Sequence, residues 1–435
     1  MLRLRRPAVL AVMLCGFAFS AGAQMFRGNL QHTGDYGGPG VPRFTKVKWK
    51  FATHGQVISS PAIADHTAYF GSTDGIFYAV DLETGTLKWK FATHVRITSS
   101  AAVDKGTVYF ESYDGNFYAL AATNGQLKWK FATAGERRFA GKHLHGSQPE
   151  GESMPDPFDF YLSSPAVWNG AVYFGSGDGN VYALDANSGT AKWKFATGNV
   201  VHASPAIADG VVLIGSWDSF FYALDGATGK EKWRFKTGED TKIYNQVGIQ
   251  SSAAVADGLV YFGCRDSNLY ALDAASGRQK WVFNNKGSWV IGSPAVHAGK
   301  VYFSTSDSGL FYSVDAKTGV LMSSAKYIWP MFSSPAISGD MLYIGSHDGK
   351  LRAIDLTANL LAWTFQTDGS KENGAGLTKP DGSPKYEAAF TEDFYDNMVT
   401  GVAKMMSVGA VLSSPVVADG VIYFGSTDGN LYAVM

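Results

Sequence analysis

The sequence has almost no excess charge of either sign. Its 37 Lys and Arg residues are balanced by 38 Asp and Glu residues, which leaves a formal net charge of −1 at pH 7. Proteins that bind nucleic acid need a basic surface to meet the phosphates. The charge balance therefore argues against a nucleic-acid partner.

Cysteine and long apolar runs are also scarce. The chain has only Cys15 and Cys264, and the apolar stretch 8–19 is too short for a membrane-spanning helix. That stretch follows three arginines between residues 3 and 6 and precedes the small residues 21–23, an order typical of a secretory signal. We expect cleavage of 1–23, which leaves Cys264 without a disulfide partner. The mature chain is then expected to be a soluble monomer, periplasmic or secreted, without a transmembrane segment.

What the chain does contain is a repeat. Seven units align without gaps on the pattern SSPAVADGxVYFGSxDGxLYALDxxTGxxKWKFAT, and an eighth, 413–435, stops early. The seven units are 59–93, 99–133, 163–197, 203–237, 251–285, 292–326 and 333–367. A fixed period of this length is typical of arrays of one supersecondary unit.

Each unit contains four short apolar runs separated by turn residues. The runs are rich in aromatic and β-branched residues, and the Asp-Gly pair between the second and third runs is typical of a hairpin. Four strands joined by tight turns form one antiparallel blade of a propeller. The pattern therefore predicts an all-β fold.

The early stop at the C-terminus predicts how the ring closes. The eighth unit lacks its fourth strand, and a matching segment, "VKWKFAT", lies at 47–53, before the first full unit. We predict an eight-bladed β-propeller in which this N-terminal strand pairs with the three C-terminal strands. The organisation is then a signal peptide (1–23), a lead-in (24–46) and one propeller domain (47–435).

The end of each unit resembles the tryptophan-docking motif of propellers of the pyrroloquinoline quinone (PQQ) type, Ala-x-Asp-x-x-x-Gly-x-x-x-Trp. The first copy is Ala79, Asp81, Gly85 and Trp89. Intact copies of the motif's Asp, Gly and Trp follow at Asp185, Gly189, Trp193, Asp225, Gly229, Trp233, Asp273, Gly277 and Trp281. In the sixth unit Ser323 replaces the Trp. The resemblance implies a structural role for these residues, which hold neighbouring blades together.

The resemblance leaves the function open, since the family includes PQQ-dependent alcohol and sugar dehydrogenases as well as non-catalytic scaffolds such as BamB. Family alcohol dehydrogenases place a vicinal disulfide against the quinone, which one mature cysteine cannot form, and no haem-attachment Cys-x-x-Cys-His is present. We therefore expect an interaction scaffold of the cell envelope without a cofactor. The alternatives are a dehydrogenase that uses PQQ with Ca²⁺ and a module that binds a glycan or other small ligand.

Three long connections between blades, 134–162, 238–250 and 368–412, are predicted to decorate one face of the ring. Loops on a rigid scaffold commonly carry binding sites, so envelope proteins or a small ligand are expected there. Strand alternation places a candidate ligand-binding set near the channel mouth on this face: Gln56, Arg96, Thr98, His202, Gln250, Trp289 and Phe332. The same residues could equally form the rim of an empty channel.

Metal-binding signals are weak. The longest insertion carries a run of oxygen ligands suited to a hard cation, Glu392, Asp393, Asp396 and Asn397, but its spacing matches no EF-hand loop and favours an acidic helix. His143 and His145 lack a third ligand at a zinc-like spacing and favour a polar loop. No metal is expected from these patterns.

Overall fold

The structure, a computed structural model, describes residues 23–144, 151–239, 247–390 and 397–435, so the predicted signal residues 1–22 lie outside it. Within these ranges the chain forms eight four-stranded sheets and one two-stranded hairpin. The first strands of neighbouring sheets contact each other, which places them around a common axis with the sheets radiating outwards as blades. The predicted eight-bladed propeller is confirmed.

The strands fall into four positions from the axis outwards. The innermost strands are Ala62–Ala64, Ala102–Asp104, Ala166–Trp168, Ala206–Ala208, Ala254–Ala256, Ala295–His297, Ala336–Ser338 and Val416–Ala418. The second strands are Thr67–Gly71, Thr107–Ser112, Ala171–Gly175, Val211–Gly215, Leu259–Gly263, Lys300–Ser304, Met341–Gly345 and Val421–Gly425. The third strands are Ile76–Asp81, Asn116–Ala121, Asn180–Asp185, Phe220–Asp225, Asn268–Asp273, Leu310–Asp315, Lys350–Asp355 and Asn430–Val434. The outermost strands are Leu87–Ala92, Leu127–Ala132, Ala191–Ala196, Glu231–Lys236, Gln279–Asn284, Leu321–Lys326, Leu360–Gln366 and Val47–Ala52.

The eighth blade is built from both ends of the chain. Val47–Ala52 pairs antiparallel with Asn430–Val434, with Phe51 opposite Leu431. The predicted closure is confirmed. Because the outer strand comes from the N-terminal part of the chain, the free edge that the last three strands would present is covered.

The Asp-Gly turn in each blade is held by its own side chains. In the first blade, Asp74 accepts the Ile76 N–H at 3.0 Å and the Tyr78 hydroxyl at 2.8 Å. Gly75 follows with φ +80°, a conformation that glycine adopts without strain. The aspartate of the Asp-Gly pair therefore has a local role in the turn.

The outer strands link each blade to the next through tryptophan. The Trp89 indole N–H donates to the Ala122 carbonyl at 2.9 Å, and its ring lies so close to Gly125 that a Cβ there would be 2.5 Å from Trp89 Cε3. The same donation from indole to the next blade's carbonyl recurs at Trp49, Trp129, Trp193, Trp233 and Trp281. Burial of the ring with its polar edge satisfied joins the blades.

The lead-in closes the end of the channel opposite to the connections between blades. The Ile63 and Val103 N–H groups, on two innermost strands, donate to the carbonyls of Ala23 and Gln24. Arg27 is fully buried and donates to the carbonyls of Pro335 at 2.5 Å and Pro294 at 2.9 Å. Burial lowers the pKa of Arg27 to about 10. The sequence pattern gave no indication of this plug.

The insertions carry the remaining regular structure. The 134–162 insertion contains the hairpin Ala140–Lys142 with Ser153–Pro155. The 368–412 insertion contains helix Asp368–Leu377, the 3₁₀ turn Tyr386–Ala388, the π-helical turn Asn397–Gly401 and helix Val402–Met406. In the described part of the chain, no helix is long and apolar enough to cross a membrane.

Candidate functional site

The candidate set lies around the channel mouth on the insertion-bearing face. Thr98, His202, Gln250 and Phe332 line a small central cavity of about 30 Å³. Gln56 and Arg96 line a neighbouring pocket of about 310 Å³ that also includes Thr98. Trp289 is buried beside Phe158, with ring centroids 5.9 Å apart.

The mouth is filled by the chain's own 134–162 insertion. The Gln250 side chain donates to the Phe158 carbonyl at 3.1 Å, and the Phe158 ring packs against Phe332 at 6.1 Å. The Tyr161 hydroxyl lies 3.0 Å from the Leu412 carbonyl, across the channel. Four of the seven candidate residues therefore contact the segment 156–162, which covers the central cavity: His202, Gln250, Trp289 and Phe332.

His202 is held by carboxylates of that insertion. Its Nδ1 lies 2.8 Å from Asp159 Oδ1, and its Nε2 lies 3.7 Å from Glu136 Oε2, with all three side chains buried. Burial acts to lower the pKa of His202, but Asp159 and Glu136 outweigh it and raise that pKa to about 9. His202 is therefore a buried imidazolium at neutral pH, neutralised by the loop.

A third carboxyl group, that of Glu111, lies next to Glu136. Glu111 is fully buried, and burial together with the nearby charge of Glu136 raises the pKa of Glu111 well above its ordinary value. Glu136 in turn accepts hydrogen bonds from the Ser176 hydroxyl and, at 2.7 Å, from the Gly177 N–H. The arrangement indicates a protonated Glu111 beside an ionised Glu136.

Arg265 provides the other buried cation at the mouth. Its guanidinium lies between the rings of Trp217 and Trp289, 4.3 and 4.2 Å from their centroids. It also pairs with Asp156 and donates to Gln250 Oε1 at 3.0 Å. Because Asp156 belongs to the 134–162 insertion, this buried ion pair attaches the loop here as well.

Arg96 lies further out. Its guanidinium stacks on the Tyr113 ring at 3.8 Å, and burial lowers its pKa. With Gln56 and Arg138 it lines the 310 Å³ pocket, whose opposite wall is formed by the helix Val402–Met406. The side of the pocket formed by the 368–412 insertion is apolar, whereas the blades and the 134–162 insertion contribute both polar and apolar side chains.

Sequence reasoning missed several of these residues, although the repeat contained a signal for them. Glu111 stands where other units have the Gly of "FGS", while Trp217, Arg265 and His347 stand just before the turn aspartate, where the first unit has Thr73. The position before the turn aspartate holds a small residue in four units and Tyr113, Trp217, Arg265 or His347 in the other four, and this variation marks the mouth. Asp156 and Asp159 have no counterpart in the repeat and gave no such signal.

Most of the candidate metal ligands suggested by the sequence lie outside the described residues. Glu392, Asp393, Asp396 and His145 lie outside the described residues, as does the side chain of Asn397. Within the described ranges, no group of three His, Cys, Asp or Glu side chains is placed to hold a metal ion.

The sequence pattern of the family described as outer membrane protein assembly factor BamB matches residues 45–144, 159–285 and 265–434. The chain belongs to this PQQ-like propeller family. No curated protein sequence matches the chain.

Solved BamB-like propellers and quinoprotein dehydrogenases share the fold. BamB from Moraxella catarrhalis is 19% identical with a TM-score of 0.64, over 90% of this chain and 97% of that one. A europium-containing methanol dehydrogenase is 15% identical with a TM-score of 0.70, over 95% and 97%. Quinohemoprotein alcohol dehydrogenase from Comamonas testosteroni is 14% identical with a TM-score of 0.67, over 95% and 80%. Identities this low establish the common ring and not a common activity.

In this BamB-family chain, the mouth does not fit PQQ with Ca²⁺ as it stands. The faces of Trp217 and Trp289 that could stack on a quinone are stacked on Arg265, and Arg265 is neutralised by Asp156. His202 is likewise neutralised by Asp159. A planar anion would have to displace the segment 156–160 and, with it, the two carboxylates that neutralise Arg265 and His202.

Proposed function

We propose that the protein is a non-catalytic interaction scaffold of the cell envelope. The observation that carries the proposal is the apolar character of the outermost strands of two neighbouring blades, the sixth (Leu321–Lys326) and the seventh (Leu360–Gln366). Each of these strands pairs on one side only, so its other edge presents unpaired backbone groups.

In four other blades, lysines on both sides of the Trp protect these edges; the fourth blade has Lys232 and Arg234, and the fifth has Lys280 and the exposed Val282. The first blade has Lys88 and Lys90 on either side of its Trp, and the blades at 127–132, 191–196 and 47–52 repeat the pair. The sixth blade has Met322 and Ser324 at the same positions. Charged side chains on an edge strand discourage pairing with another chain, and here that protection is missing.

The seventh blade shows the same change. Ala362 and Thr364 occupy its two lysine positions. Apolar side chains are exposed on both strands and in the turn before the sixth-blade strand: Val320 61%, Leu321 48%, Met322 53%, Leu360 66% and Leu361 48%. An extended, apolar segment of another envelope protein could add to such an edge as a further strand.

Export supports the envelope location. The order of charged, apolar and small residues in 1–23 is that of a secretory signal. The matching family and the M. catarrhalis structure are both those of BamB, an outer membrane protein assembly factor. We extend the role of an envelope scaffold to this chain. Its proposed partner is an envelope protein with an extended, apolar segment.

Site-specific photo-cross-linking in the native host tests the proposal. A photoreactive residue at 322 or 362 should give a discrete protein adduct, whereas one at 88 or 192, the matching positions of the first and third blades, should not. The double change Met322→Lys and Ala362→Lys restores the repeat pattern and should remove the adduct formed from a photoreactive residue at 321. Leu127→Lys, on the outer strand of the second blade, is the matched control and should leave it intact.

Two outcomes would contradict the scaffold. One is cross-linking that is equal at 88 and 322, or insensitive to the added lysines. The other is dye-linked oxidation of an alcohol or sugar that requires PQQ and Ca²⁺, which would establish the dehydrogenase alternative instead.

A further inference from the structure

A second cavity lies beside the channel axis, between the sixth and seventh blades and the 368–412 insertion. Its volume is about 390 Å³, within the range of pockets that take small molecules. It adjoins the central mouth, sharing Phe332 with the 30 Å³ cavity, and the scaffold proposal does not use it.

The cavity wall is largely aromatic and methionine-rich. Phe332, Phe390, Met405 and Met406 line it, as does Trp329. The Trp329 indole N–H donates outward to the Gly382 carbonyl at 2.8 Å, so its hydrogen-bonding edge is already satisfied. Methionine side chains adapt to irregular ligands, and aromatic faces favour flat ones.

One polar side chain in this wall, that of His347, has a ring nitrogen without a hydrogen-bond partner among the described residues. His347 lines the cavity, is only 5% exposed, and its Nε2 has no hydrogen-bond partner among the described residues. Its ring packs edge-on against Phe332 at 4.4 Å. Burial lowers the pKa of His347 to about 3, so the imidazole is neutral and can either accept from a hydroxyl or donate to a carbonyl.

A buried polar atom without a partner is unfavourable, and a ligand that supplies the partner removes that penalty. The cavity thus combines a largely apolar wall with the buried Nε2 of His347, while Asp307 and Tyr386 also contribute to its lining. An anionic ligand is disfavoured because the imidazole is neutral and Asp307 is acidic, and a largely apolar wall gives any charged ligand little compensation for desolvation.

We propose that this cavity binds a small, uncharged aromatic molecule whose single hydroxyl or carbonyl group hydrogen-bonds to Nε2 of His347. Phe332 and Trp329 pack on the rings, and the methionines of the helix Val402–Met406 close over them. An anion such as PQQ does not belong to this class, so the site is distinct from a quinone cofactor site.

Calorimetric titration of the purified protein with three probes tests this site. 2-Naphthol should bind saturably, naphthalene about tenfold more weakly because it lacks the hydrogen bond, and 2-naphthoate should not bind. His347→Phe should remove the difference between naphthol and naphthalene. Met405→Trp should fill the cavity and abolish binding of both, while the exposed His54→Phe should behave as wild type.

The affinities of the wild-type protein for the three probes test the proposal even if a variant does not fold. Absence of saturable naphthol binding, equal affinity for naphthol and naphthalene, or preference for naphthoate would each overturn the proposal. So would naphthol binding that survives in a folded Met405→Trp protein, because the probe would then occupy another site.

Discussion

The backbone N–H of Ser414 donates to the Oγ of Ser60 at 2.9 Å, a contact between the last blade and the first. An equivalent bond links every pair of neighbouring blades. In each blade, the backbone N–H of the serine equivalent to Ser60 donates to the hydroxyl oxygen of the equivalent serine in the next blade. The eight serines are Ser60, Ser100, Ser164, Ser204, Ser252, Ser293, Ser334 and Ser414. The ring is therefore closed by a circle of hydrogen bonds at its centre and by strand pairing at its rim.

Removing one link of this circle should destabilise the protein measurably. Ser164→Ala deprives the buried Ser100 N–H of its acceptor, and a buried donor left unpaired costs about 1–3 kcal/mol. Urea unfolding should show a loss of that size in the free energy of unfolding. Ser188→Ala, in an exposed turn of the same blade, should lose far less. Equal stability of the two variants would show that the circle contributes nothing.

Trp49, which joins the eighth blade to the first, should contribute as much to stability as Trp89, which joins the first blade to the second. Trp49 is buried and donates to the Leu82 carbonyl at 2.9 Å, although it comes from the N-terminal strand. Trp49→Ala and Trp89→Ala should each lower the free energy of unfolding by about 3–5 kcal/mol. The exposed Leu87→Ala serves as control. A Trp49→Ala protein that unfolds like wild type would contradict closure through the N-terminal strand.

Stability should fall as the pH rises above neutrality. The pKa of His202 is about 9 in the folded protein and 6.5 ordinarily, so its contribution is complete below pH 6.5 and is lost by about pH 9. This displacement corresponds to roughly 3 kcal/mol. The raised pKa of Glu111 also makes the free energy of unfolding fall as the pH rises, beginning at the ordinary pKa of 4.5.

Denaturant unfolding of wild type and His202→Gln between pH 6 and 9.5 measures the His202 contribution. The variant should be less stable at pH 6 and show a flatter pH profile, whereas the exposed His54→Gln should keep the wild-type slope. A wild-type free energy of unfolding that rises over this interval would show that the sign is wrong.

The attachment of the loop at the mouth should depend on Arg265. Arg265→Ala removes the cation of the buried Arg265–Asp156 pair, and breaking a buried ion pair from one side costs about 3–5 kcal/mol. The segment 156–162 should then be cleaved by chymotrypsin at its aromatic residues much faster than in wild type. Arg278→Ala, an exposed arginine of the same blade, should leave the digestion rate unchanged. Equal rates for all three proteins would mean that the loop is held by other contacts.

The ring was predictable from the sequence because each blade repeats the same local chemistry. The turn at Asp74 and Gly75 uses only neighbours within the unit, and the truncated last unit pointed to the strand at 47–53. The contents of the mouth were not predictable, because they depend on contacts between distant residues outside the repeat. Asp156 meets Arg265 across 109 residues of sequence, and Asp159 meets His202 across 43.

The seven candidate residues illustrate this limit. Strand alternation brought Thr98, His202 and Gln250 to one mouth, since the repeat fixes which residues enter the innermost strands. It could not indicate that the 134–162 insertion folds back over them. The same applies to the plug made by Arg27 and its neighbours, whose sequence has no repeat character.

Calorimetric titration of PQQ with Ca²⁺ into the purified protein tests the central claim, that the mouth is occupied by the chain's own loop and holds no quinone. The account predicts no saturable binding tighter than about 100 μM, near −5.5 kcal/mol, in wild type and in an Arg96→Ala/Trp289→Ala variant alike. Micromolar binding to wild type that is lost in the variant, together with dye-linked oxidation of an alcohol or sugar, would contradict it.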